Sequence, residues 1–171
     1  MGGKSRKSEE PGGSGDLLQE TSRRIAERLS RATADGELTP DEVTIVVEEA
    51  LAAILADGAD PVIGAKAILL GVLQAAAAQG ETALRIIAHV ARAAVHHAGK
   101  TEEDLGPVGK GVVLGAISGA KEIGVDLEKA ASTAARGALE GAESASLAAM
   151  ETLRAALKKG IGGIVVNLPK A

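Results

Sequence analysis

The residues of this sequence best suited to proton transfer or metal binding are its three histidines, His89, His96 and His97. All three fall in one stretch, TALRIIAHVARAAVHHA, whose apolar spacing reads as a helix. His89 and His96 share a face, but seven positions separate them by about 10 Å along a helix axis, too far for one metal ion. His96 and His97 are neighbours whose side chains diverge by about 100°, which does not suit chelation either. No further ligands stand at metal-binding spacing, so no metal site is expected. The helical wheel does gather one polar stripe, Arg85, His89, Arg92 and His96. Because histidine titrates near neutrality, such a stripe has the chemistry of an anion-binding or pH-responsive face. The plainer reading, the solvent side of an amphipathic helix, is preferred.

Gly111, Gly115 and Gly119 form a doubled GxxxG beside the apolar residues Val112, Val113, Ala116, Ile117 and Ala120. Small residues at this spacing let a second helix approach closely. The expectation is helix packing within the fold, with a self-association face as the functional alternative. The same segment, GKGVVLGAISG, lacks the Gly-Lys-Ser/Thr spacing of a phosphate loop. Ser118, Ser132, Thr133, Ser144 and Ser146 sit in helical patterns, and none has a histidine at a spacing that implies a nucleophile–base pair. The acidic run in residues 35–58 has no Asp-x-Asp-x-Asp-Gly order and is not an EF-hand loop. Neither a catalytic residue nor a cofactor is assigned.

These residues must be positioned by helices. Residues 1–15 have the composition of a disordered tail, with Lys4, Arg6 and Lys7 solvated. A single helical domain is expected over residues 16–159, in hairpins of about 16–57, 60–99 and 107–159. Asp16 can cap the first helix. Thr39-Pro40-Asp41-Glu42 has the form of a capping box opening the second. Residues 16–34 carry four arginines against three acids, and residues 35–58 carry seven acids and no base, which predicts a charge-matched hairpin. Pro61 to Gln79 is apolar nearly all round and reads as a central buried helix. A fourth helix spans about 82–98, and a fifth runs from Pro107 to Gly124. A sixth continues from Asp126 to Lys159, with Gly137 and Gly141 as its weak points. The apolar tail, residues 160–171, docks on its own helices or adds to a neighbouring molecule as a strand, the first being preferred.

A shift of 44 residues superimposes Gly36, Gly80 and Gly124, and aligns Leu70 with Leu114, Gly71 with Gly115, Ala76 with Ala120 and Arg92 with Arg136. Three hairpins of one pattern follow, the last with a prolonged second helix. In this register the helix at 107–123 is the half-polar counterpart of Pro61–Gln79, and so the more open copy. The phrases GAISGAKEIG and AARGALEGA, within residues 107–143, resemble those of poorly characterised Ala/Gly-rich helical repeat proteins of bacteria. The resemblance implies a helical fold and no activity.

Composition narrows the function classes. Net charge is −4, and Phe, Tyr and Trp are absent, so nothing supports nucleic-acid binding or the stacking of flat cofactors. No cysteine is present. The N-terminus has no apolar signal core, Arg6 breaks a myristoylation start, and no uncharged apolar run reaches about 18 residues. The expectation is a cytoplasmic, all-α protein, a compact bundle or short solenoid of about six helices. Its expected role is non-enzymatic and structural, with itself or another protein as partner through Ala/Gly-rich faces. The alternative is an amphipathic coat on lipid or a storage inclusion.

Overall fold

The computed structural model describes residues 14–33, 38–76, 80–101 and 103–169. Seven helices are present among them: α1 Ser14–Ala32, α2 Pro40–Ala56, α3 Pro61–Ala76, α4 Gly80–Lys100, α5 Leu105–Ile123, α6 Leu127–Glu143 and α7 Leu147–Leu157. The described residues contain no strand, only an isolated bridge between Ile161 and Ile164. The expected N-terminal tail falls largely outside the described residues, although Ser14 and Gly15 already belong to α1, and Gly36 of the 44-residue register also lies outside them.

Local signals account for several boundaries. Thr39 caps α2 in a complete box: its hydroxyl accepts from Glu42 N–H, while the Glu42 carboxylate accepts from Thr39 N–H at 2.9 Å. Asp104 and Asp126 cap α5 and α6 through their side chains. Gly124 closes α5 in the left-handed region, φ 77°, where residues other than glycine are strained.

The helices stack in two layers. Each layer is built from helices two apart in the chain, α1 on α3 and α3 on α5 in one, and α2 on α4 and α4 on α6 in the other. The seventh helix packs against both α5 and α6. This is the expected all-α fold, and specifically a short helical-hairpin solenoid. The central position belongs to α3, in which Gly64, Ala65 and every residue from Ala67 to Leu73 are buried. With no aromatic side chains, much of the core is alanine, so the helices must approach closely to keep contact.

Glycine makes that approach possible, and it does so in register. A β-carbon on Gly71 would lie 2.6 Å from Ser22 O and 2.8 Å from Ile25 Cβ of α1. One on Gly115 would lie 2.9 Å from Lys66 O and 3.1 Å from Leu69 Cβ of α3. Ser22, Ile25 and Gly71 map onto Lys66, Leu69 and Gly115 by the 44-residue shift. The repeat therefore governs contacts as well as residue identities.

Four expectations are corrected. The sixth helix does not continue to Lys159. It ends at Glu143, and α7 restarts at Leu147 because the Ser146 hydroxyl accepts from Ala149 N–H as a new N-cap. Gly137 and Gly141 are not weak points but the places where α6 meets the α4 backbone, at Ala88 O and Arg92 O. The arginines of α1 pair mostly within their own helix, Arg23 with Glu20 and Glu27, and Arg24 with Glu20. Among the described residues only Arg28–Glu49 carries an α1 ion pair to α2, because three- and four-residue spacing brings partners together before any hairpin forms. Lastly, α5 is only slightly more open than α3: ten of its 19 residues are buried against nine of 16, and Lys110, Lys121 and Glu122 are exposed.

The C-terminal tail docks on its own chain. Ile161 is buried, and Ile164, Val166 and Leu168 pack against the core. Asn167 N–H donates to Ser132 Oγ at 3.0 Å, and the Arg154 guanidinium donates to the Pro169 carbonyl.

Candidate functional site

The expected polar stripe lies on the second layer, with α4 at its centre between α2 and α6. The structure divides its four members. His89 is tied to α2: its Nε2 lies 2.8 Å from Thr44 Oγ1 and 3.1 Å from Pro40 O. Its Nδ1 lies 3.2 Å from an Arg92 guanidinium nitrogen, which has only protons to offer, so Nδ1 accepts and Nε2 carries the hydrogen. Arg92 also faces Glu140 of α6 at 3.6 Å. The result is a polar chain running Thr44–His89–Arg92–Glu140 across three helices.

His96 is tied to α6 instead, with Nδ1 against Ser144 Oγ. Sequence spacing gave no hint of this pair, because the residues are 48 apart and meet only when α4 and α6 stack. It does not have the form of an activated nucleophile. Ser144 Oγ donates to the Gly141 carbonyl at 2.6 Å, which engages its proton within the last turn of α6. Among the described residues nothing bonds the other ring nitrogen of His96 to orient it as a base. The pair links the end of α6 to α4.

Both ring nitrogens of His97 are buried and have no hydrogen-bond partner among the described residues. His97 shares its side of α4 with Lys100, which reaches Glu48 of α2 at 3.8 Å. No three His, Cys, Asp or Glu side chains converge for a metal ion among the described residues.

Arg85 lines a groove between α2 and α4 together with His89 and Arg92. Among the described residues it has no ion pair, and it lines a cavity of about 920 Å³ between α4, α6 and the tail. Arg136 of α6 lines the same cavity and is likewise unpaired among the described residues. The structure thus keeps Arg85, His89 and Arg92 along one groove and sets Arg85 and Arg136, from two helices, on the walls of another. Arg136 was visible in the sequence only as the repeat counterpart of Arg92.

Gly111, Gly115 and Gly119 are buried against α3, beside Val62 O, Lys66 O and Leu73 Cδ1 respectively. They serve helix packing inside the chain, and that face is occupied. No described helix is long and apolar enough to cross a membrane. Neither a protein-family model, a curated protein nor a solved structure matches this chain.

Proposed function

We propose that the protein is a non-enzymatic structural or interaction protein, and that it associates with a second copy of itself through the exposed face of α2. The reading rests on the repeat. Thr133, Gly137 and Gly141 of α6 form the face that packs on α4, with Gly137 at Ala88 O and Gly141 at Arg92 O. One repeat earlier these positions are His89, Ala93 and His97, on the side of α4 where His89 bonds Thr44 of α2. Two repeats earlier they are Ile45, Glu49 and Ala53, and all three are exposed.

Among the described residues no helix stacks on this face of α2 as α6 does on α4, and only Glu49 of the three is engaged, by Arg28 of α1. Ile45 is 52% exposed there, beside Ala52 and Ala56. A partner built on the same helical repeat matches that face in shape, and a second copy of this chain is such a partner. This moves self-association from the glycine face of α5, which is buried, to α2.

Sedimentation equilibrium over a wide concentration range tests the reading. The expected result is a mass that rises with concentration in the parent chain and stays monomeric in Ile45→Glu. A strict monomer at every concentration would overturn it.

A further inference from the structure

We infer that the groove between α4 and α6 binds a small aliphatic carboxylate, held by Arg85 and Arg136. The inference is independent of self-association through α2.

The unpaired state of the two arginines has a structural cause. Arg92, the repeat counterpart of Arg136, finds Glu140 on the next helix of its layer. Among the described residues no further helix follows α6 in that layer, and the tail lies on that side instead, with Asn167 bonded to Ser132. Arg136 thus keeps the position of a cross-helix cation without the acid that its counterpart meets. Arg85 is on α4, one turn before His89, and the neighbouring acid Glu81 is engaged by Lys129 at 3.6 Å.

Three acids, Glu81, Asp126 and Glu128, face three cations, Arg85, Lys129 and Arg136, so the groove walls balance in formal charge. Lys129 engages Glu81, and its N–H donates to the Asp126 cap, which leaves the two guanidinium groups without an ion pair among the described residues. Ser132 Oγ accepts from Asn167 N–H and keeps its own hydrogen to donate. The rest of the wall is aliphatic, from Leu84, Ala88, Leu168 and Pro169.

Guanidinium forks match a carboxylate in two parallel hydrogen bonds, and the aliphatic wall suits a short hydrocarbon body. With no aromatic residue in the chain, the groove offers no stacking surface for a base or a flat ring. The ligand class is therefore an aliphatic acid rather than a nucleotide.

Titration of the isotopically labelled full chain with octanoate, octanol and inorganic phosphate, read by amide chemical shifts, tests the inference. Octanoate is expected to shift Ala88, Ser132 and Arg136, and to bind about ten-fold or more tightly than octanol or phosphate. Arg85→Gln and Arg136→Gln should each weaken octanoate about ten-fold. Arg28→Gln, which removes the same charge far from the groove, should leave binding unchanged. Far-UV circular dichroism of each variant confirms the fold. Absence of shifts in the groove, equal binding of octanol or phosphate, or undiminished binding by both groove variants overturns the inference.

Discussion

Gly71 of α3 lies so close to Ile25 of α1 that a β-carbon in its place would stand 2.8 Å from the Ile25 β-carbon. The adjacent obstacle, Ser22 O at 2.6 Å, is backbone and has no rotamer to move into. Gly115 repeats the relation one hairpin later, against Lys66 O. In each case the helix axes are spaced for hydrogen, and a methyl group must push two backbones apart.

The glycine contacts therefore predict an order of effects. Gly71→Ala and Gly115→Ala gain helix propensity yet should destabilise the fold by about 1–3 kcal/mol, because overpacking against backbone outweighs that gain. Gly109→Ala and Gly119→Ala should cost less, since they meet the Leu153 and Leu73 side-chain ends, which can rotate. Gly15→Ala, with nothing within 4 Å, should be neutral or stabilising. Urea unfolding followed by circular dichroism at 222 nm orders the variants. Tryptophan fluorescence cannot serve, because the chain has no tryptophan.

The Thr44–His89 contact predicts coupling between α2 and α4. Thr44→Val and His89→Leu should each cost about 1 kcal/mol, and the double variant should cost less than their sum. Additive costs in the unfolding cycle would show that the 2.8 Å contact contributes nothing.

Acid should weaken the start of α2. Hydrogen bonds from Thr39 N–H and then from its hydroxyl hold the Glu42 carboxyl below its ordinary value of 4.5. The folded form thus resists protonation more than the unfolded chain does. The capping contribution is complete above about pH 4.5 and is lost as pH falls through the lowered folded value. Glu20, held down by hydrogen bonds from Arg23 and Arg24, adds loss of the same sign in α1. Urea midpoints measured between pH 6 and pH 3, about the range in which carboxylates titrate, should fall more steeply in the parent chain than in Glu42→Gln.

The break between α6 and α7 rests on Ser146. Ser146→Ala should lower stability by about 1 kcal/mol through the lost cap. Leu153→Ala should cost about 2–5 kcal/mol, since Leu153 is fully buried and contacts the Gly109 site. Val165→Ser, at a residue 65% exposed on the tail, should change little. Thermal melts of the three variants rank these contributions, and equal melting of Leu153→Ala and Val165→Ser would contradict the packing of α7.

The features readable from the chain alone are those that close within a turn or two of helix. The capping box from Thr39 to Glu42, the left-handed stop at Gly124 and the apolar circumference of α3 were all legible, because each depends on residues fewer than five apart or on a single helical period. The 44-residue register was legible too, since it is written in Gly71 and Gly115 themselves. Tertiary structure decided which helices meet. Stacking of helices two apart buries the glycines of α5, sends His89 to α2 and His96 to α6, and leaves Arg85 beside Arg136. None of those pairs shares a local spacing, for they arise from close approach across layers, where a one-turn slip would bring different side chains together. The serine that divides α6 from α7 shows the same limit. Ser146 can lie within a helix or begin one, and the docking of α7 against α5 selects the second.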